Sequence, residues 1–288
     1  MIKRLVPYFW FSVSPTVFGV VRFGFYSTLF IYYMRFNSLN PNGWMDLAGS
    51  HFWQPRSFFN WLPRAMWFVV DPGQVYSFWI VAMMACALGV VFRFSSWAAF
   101  LSFLYLTGLP INFGKIHHSN HMPAVMLGLL AVAGSAGSYS VDSWLIRRRD
   151  PKSEIRPQPV FGWFFRTALV YVCLVYMNSG LQKLWMGGLG WFANESMATI
   201  LLTRPTVTAL GRWVASSNWL PAWLAVGTVV IEAGAPTMLF SRTARRLLIP
   251  CLFCMHIGTH MLMGAHGAFT AYNISFIVLL PWVFAEVF

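Results

Sequence analysis

"GWFFRTALVYVCLVYMNSGLQ", residues 162–182, decides the fold class of this 288-residue chain. The hydrocarbon core of a bilayer takes about 20 predominantly apolar residues in helical form, and this run supplies that length before it ends at Lys183. Seven further runs of similar character lie at 13–34, 75–93, 96–112, 121–139, 219–240, 246–264 and 269–286. In lipid every backbone N–H and C=O must be satisfied inside the structure, so runs of this kind form helices. The expectation is an all-α polytopic membrane bundle of about eight spans. It forms a single transmembrane domain over 1–288, with no C-terminal extramembrane domain. Residues 185–217 are less apolar and are broken by glycine, proline and two arginines, which reads as an interfacial or re-entrant segment.

Composition agrees. With 58% hydrophobic and only 10% charged residues, the chain lacks the charged surface that a soluble domain of this size needs. The net charge of +12 does not point to nucleic acid, because the basic residues sit in short loops between apolar runs. One set of loops holds Lys3, Arg4, Arg93, Arg147, Arg148, Arg149, Lys152, Arg156, Arg242, Arg245 and Arg246. The positive-inside rule makes that side cytoplasmic, and eight spans put both termini there. No small-residue cleavage site follows Lys3 and Arg4, so the first apolar run is a membrane helix rather than a signal peptide. A compact chain of this kind suits a bacterial inner membrane. The opposite face then receives His51, Arg56, Arg64, Lys115, His117, His118, Asn120, His121, Lys183 and His266, with His260 just below it and His256 deeper.

Chemistry is concentrated on that face. Lys183 is followed by "LWMGGLGW", which offers it no acidic partner. It reads either as a lysine snorkelling to the headgroups or as an amine kept neutral by partial burial and able to act as a base. "GKIHHSNHMPAVMLGLL" places Pro123 in a first helical turn, with Ser119 or Asn120 as cap and His121 at the helix N-terminus. His117, His118 and His121 have no carboxylate or thiolate beside them, so no metal site is expected. His256 and His260, at i and i+4 in "CMHIGTHMLMG", share a helical face without the glutamate of a zinc-protease motif. Glu232 in "VVIEAGAP" is an intramembrane acid, a functional-site candidate paired to an arginine or histidine of a neighbouring helix. Cys86, Cys173, Cys251 and Cys254 all fall in apolar runs and read as small buried hydrophobes; Cys251 and Cys254 have CxxC spacing, for which metal or redox use is the lesser alternative because no second Cys or His pair stands at ligand spacing. The aromatics of "HFWQPRSFFNWLP" and "RAMWFVVDP" form an interfacial belt or the mouth of an apolar pocket. No nucleotide-binding or serine-hydrolase motif occurs in a plausible context.

"SNHMPAVMLGLLAVAGSAGSYSVDSWL", then "MNSGLQKLWMGGLGWFANESM", together with "FFNWLP" and "LGVVFRFSS", resemble the membrane core of vitamin K-dependent gamma-carboxylases, within the horizontally transferred transmembrane domain family. The resemblance covers roughly residues 45–200, and is carried more thinly beyond by Glu232 and "FCMHIGTHMLMG". It implies that Lys183 is the base that deprotonates reduced vitamin K or menaquinol. Oxygen then adds to the ring, the resulting alkoxide abstracts a proton beside a glutamate carboxylate, and carbon dioxide traps the carbanion while the quinone leaves as an epoxide. Asn120 and His121 correspond to the family's Asn-His pair, the His assisting by hydrogen bonding. His256, His260, Glu232 and Trp191 are the candidates for holding the lipid-soluble quinone. Two features depart from the family: no substrate-binding extramembrane domain follows, and Trp185-Met186-Gly187-Gly188 replace the acidic residue soon after the lysine. The alternatives are a membrane factor for maturation or export of a secreted peptide without carboxylase activity, or a transporter subunit passing protons through Glu232 and the histidines.

Overall fold

The structure, a computed structural model, describes residues 8–36, 39–41, 60–61, 71–112, 120–153, 156–264 and 268–285. His51, Arg56, Arg64, Lys115, His117, His118, Ser119, His266, Lys3, Arg4 and all of the aromatic loop but Asn60, Trp61, Asp71 and Pro72 lie outside the described residues. Within them the chain is helical with no strand; Val13 and Gln158 form one isolated bridge. The helices are α1 (Pro15–Phe36), α2 (Pro72–Leu88), α3 (Phe92–Ile111), α4 (His121–Ala133), α5 (Val141–Arg149), α6 (Pro159–Gly187), α7 (Asn194–Leu202), α8 (Ala209–Ala215), α9 (Leu220–Gly234), α10 (Arg242–Met263), α11 (Ala268–Phe276) and α12 (Leu280–Ala285). Short 3₁₀ turns, Gly188–Phe192 and Ala235–Leu239, extend α6 and α9.

Each of the eight expected runs contains a helix, but the 121–139 run is helical only to Ala133, and among the described residues five helices rather than eight have spanning length. α1, α3, α6, α10 and α9 together with its 3₁₀ extension to Leu239 are long and apolar enough to cross a bilayer, which makes this an integral membrane protein. α2 and α4 are shorter apolar helices, and the last run divides into α11 and α12 around a turn at 277–279. The segment 185–217 holds the end of α6, a 3₁₀ turn and the short helices α7 and α8, consistent with a stretch too interrupted to form one span.

The chain divides into two compact units, Met1–Phe164 and Phe165–Phe288. In the first, α1 packs on α2, α2 on α3 and α3 on α4. A buried arginine ties these elements. Arg22 is fully buried on α1; its Nε donates to the Ala136 carbonyl, one terminal nitrogen to those of Cys86 and Ala87, and the other to that of Tyr139. Cys86 and Ala87 end α2, where carbonyls have no intrahelical donor, so the guanidinium fork satisfies groups that lipid cannot. Asp142 serves the opposite kind of terminus: its two carboxylate oxygens accept from the Val91 and Phe92 N–H groups that open α3.

In the second unit α7 packs on α8 and α9, while α10 packs on α8, α9, α11 and α12. The end of α10 is fastened by threonines ahead of α8. The Thr206 hydroxyl donates to the Met263 carbonyl, and that of Thr208 to Met261 and Leu262. Met197, Leu201, Val214, Ala215, Ala225 and Met263 form the buried cluster beneath them. Asn194 links α7 to the start of α9, donating to the Ser217 carbonyl and accepting from the Ala222 N–H. Of the short helices, α7 is thus fixed in place, and its Met197, Ile200 and Leu201 line a cavity beside α9 and α10.

Candidate functional site

Lys183 stands one turn before the end of α6 rather than at its terminus, because the helix continues to Gly187. Three residues earlier, Gly180 faces the backbone of α9. A Cβ there would fall 2.6 Å from the Ala233 nitrogen and 3.1 Å from the Glu232 carbonyl carbon, so only glycine lets the two helices approach this closely. On α9 the buried residues Pro221, Ala225, Val229 and Glu232 follow a helical stripe. Close approach and stripe together bring the Lys183 Nζ onto Glu232 Oε2 as an ion pair. The expected arginine or histidine partner of Glu232 is therefore a lysine, and the acid absent from the sequence around Lys183 arrives from 49 residues away.

The two partners differ in access: the Lys183 side chain is 22% exposed and that of Glu232 only 6%. The amine faces the open side and the carboxylate stands behind it. As an ion pair, or with the proton moved to the carboxyl, the couple carries no net charge. That is what an apolar surrounding tolerates.

The glycines after the lysine also acquire a structural reason. Gly188 has φ 52°, in the left-handed region that favours glycine, and it turns the chain out of α6 into the 3₁₀ segment. That reversal carries Trp191 back over the lysine, its ring centroid 5.7 Å from the Lys183 Nζ, in cation–π range. Trp185, Met186 and Leu189 are left exposed on the same stretch, apolar surface suited to lipid. The indole N–H of Trp191 is buried and has no hydrogen-bond partner.

These groups line one cavity of about 570 Å³, wholly within the second unit. Lys183, Glu232 and Trp191 are joined by Ile200, Leu201, Trp223, Leu224 and Ile231 from the apolar walls, and by His256 from α10. His256 is buried and held from outside the cavity lining: the Tyr176 hydroxyl lies 2.5 Å from its Nε2, and Tyr272 stacks on its ring at 5.3 Å. Tyr176, Gly180 and Lys183 are spaced i, i+4, i+7 along one face of α6, so one stripe carries the histidine's partner, the close-approach glycine and the lysine. Tyr176 went unnoticed in the sequence; that spacing was the available signal.

The other candidates are distributed differently. His260 does not line the cavity, although it shares a helical face with His256. Asn120 and His121 belong to the first unit. Asn120 stands at the N-cap of α4 without capping it through its side chain; its Oδ1 instead accepts from the Tyr33 hydroxyl at 2.7 Å. His121 is exposed as the first residue of that helix, and Pro123 falls in its first turn as expected. The cysteines need a correction: Cys86 and Cys173 are buried, but Cys251 and Cys254 are exposed and line the cavity. Among the described residues no three His, Cys, Asp or Glu are grouped as metal ligands.

A family model, the HTTM domain, matches residues 12–280. No curated protein and no solved structure matches the chain.

Proposed function

Since the chain belongs to the HTTM domain family, the membrane core of vitamin K-dependent carboxylase-like proteins, we propose that it is a membrane enzyme in which Lys183 is the base toward a reduced lipid-soluble quinone. The observation that carries this reading is the Lys183–Glu232 pair in the wall of an apolar cavity, with the amine on the accessible side. A lysine serving only as a headgroup anchor has no need of a buried carboxylate partner.

The residues fit a quinone ring on three counts. A volume of about 570 Å³ falls within the roughly 300–1,000 Å³ of small-molecule sites. The walls are aromatic and aliphatic, as a flat apolar ring requires. The indole N–H of Trp191, buried without an acceptor, is a donor for a ring oxygen. Reduced vitamin K or menaquinol would supply, with oxygen, the strongly basic species that the family uses for carbon deprotonation and carboxylation, and would leave as the epoxide.

The chain's own groups do the rest. Glu232, behind the lysine, takes the ammonium proton and so leaves the amine free to accept one from the ligand hydroxyl; the pair is neutral before that transfer and afterwards carries one positive charge that balances the ligand anion. Trp191 holds the ring oxygen and covers the lysine. Tyr176 and Tyr272 fix the His256 ring at the cavity wall. The apolar walls exclude water, which strengthens these polar contacts. The accepting substrate is a small molecule or a secreted peptide, and the membrane is a bacterial inner membrane with the site toward its non-cytoplasmic face.

The test is incubation of purified protein in lipid nanodiscs with reduced vitamin K or menaquinol, oxygen and labelled carbon dioxide. Quinone epoxide is expected from the natural protein and not from Lys183→Ala. If both fail to form epoxide while quinone binds both, the membrane factor for peptide maturation replaces this reading.

A further inference from the structure

We propose that Cys251 and Cys254 form a redox dithiol that reduces a lipid-soluble quinone within the cavity to its hydroquinone. The inference rests on the reading of that cavity as a quinone site and adds to it a source of the reduced form. Its basis is a contrast among four cysteines: Cys86 and Cys173 are buried, whereas Cys251 and Cys254 are exposed and line the same cavity as Lys183 and Glu232.

Their placement is periodic. Cys251, Cys254, Met255, Gly258, Thr259 and Leu262 all line the cavity, at the i, i+3, i+4, i+7, i+8, i+11 spacing of a single helical face. The two sulfurs are therefore successive positions on the stripe of α10 that faces the ligand space. Helix geometry puts their Cα atoms roughly 5 Å apart, inside the 4.4–6.8 Å range of disulfides. The Cβ atoms of an i, i+3 pair stand about 5–6 Å apart, wider than the roughly 3.8 Å a disulfide prefers, so closure must tighten a turn. Pro250 directly precedes Cys251 within α10. Having no N–H, it leaves the Arg246 carbonyl without its i+4 donor, and the helix is least restrained beside the pair. A disulfide closed against helix geometry is readily reduced, which keeps the thiols reduced until an acceptor of higher potential enters.

The step balances. The S–H bonds of Cys251 and Cys254 break and one S–S bond forms; the pair gives up two electrons and two protons. The quinone takes both electrons into the ring and both protons on its carbonyl oxygens, becoming the hydroquinone that Lys183 is proposed to use.

To test it, the protein in lipid nanodiscs is reduced with dithiothreitol, freed of it, and mixed without oxygen with one equivalent of a short-chain menaquinone analogue. One equivalent of hydroquinone is expected by absorbance. Mass spectrometry is expected to find two hydrogens lost from the peptide that holds both cysteines, together with their protection from alkylation. Cys251→Ser and Cys254→Ser each lose both signals, while Cys86→Ser keeps them; Cys251→Ala and a thermal melt in the nanodisc guard against a folding defect. Quenching of tryptophan fluorescence by the analogue, with both thiols still open to alkylation or one thiol carrying an added quinone, overturns the dithiol. Absence of quenching overturns the reading of the cavity as a quinone site, which is a separate failure.

Discussion

At the scale of single residues, a buried carboxylate and a partly exposed amine hold each other in an apolar wall. Lys183→Ala removes the base and leaves Glu232 buried without a cation, an arrangement that costs about 3 kcal/mol in stability. The double variant Lys183→Met with Glu232→Gln removes both charges at similar volume. It is expected to recover most of that stability in a thermal melt while staying inactive, which separates the chemical role of the pair from its structural one. Trp191→Leu loses a cation–π contact and the N–H donor. Removing a contact of that kind is worth about 1 kcal/mol, so titration of quinone by fluorescence quenching should report roughly fivefold weaker binding with the fold intact.

At the scale of elements, the helices were legible because apolar length is written directly in sequence, but their contacts depend on registers that only packing sets. Gly180 is an example. In "MNSGLQK" it reads as an ordinary membrane glycine, yet the α9 backbone occupies the space a side chain would take. Gly180→Leu is expected to separate α6 from α9, break the Lys183–Glu232 pair, and lower both activity and melting temperature. "MGGLGW" is a second case. Set against the family pattern it was a lost acid; in the fold, Gly188 at φ 52° reverses the chain so that Trp191 covers the lysine. Cys251 and Cys254 were misjudged because an apolar helix does not reveal which face meets a cavity. Arg22, inside the first apolar run, gave no sign of its four carbonyl partners on other elements. Arg22→Leu takes the donor from the Ala87, Ala136 and Tyr139 carbonyls in the first unit, while the Cys86 carbonyl keeps the Gly89 N–H. The expected loss is about 3 kcal/mol or more, measured as the midpoint shift in denaturant.

At the scale of the whole molecule, composition identified a membrane protein, and the family match over residues 12–280 agrees with the resemblance read from short motifs. The sidedness argued from arginine-rich loops is open to direct measurement. With the four natural cysteines replaced by serine, Arg148→Cys on the exposed end of α5 should react with an impermeant thiol reagent only from the cytoplasmic side. Trp213→Cys on α8 should react only from the other. The central claim concerns one amine in one cavity, and the most direct measurement is single-turnover epoxide formation from reduced quinone and oxygen in nanodiscs. The natural protein is compared with the Lys183→Met, Glu232→Gln double variant at matched quinone occupancy. Epoxide from the natural protein alone is the expected result; epoxide formed by both at the same rate would contradict the assignment of Lys183 as the base.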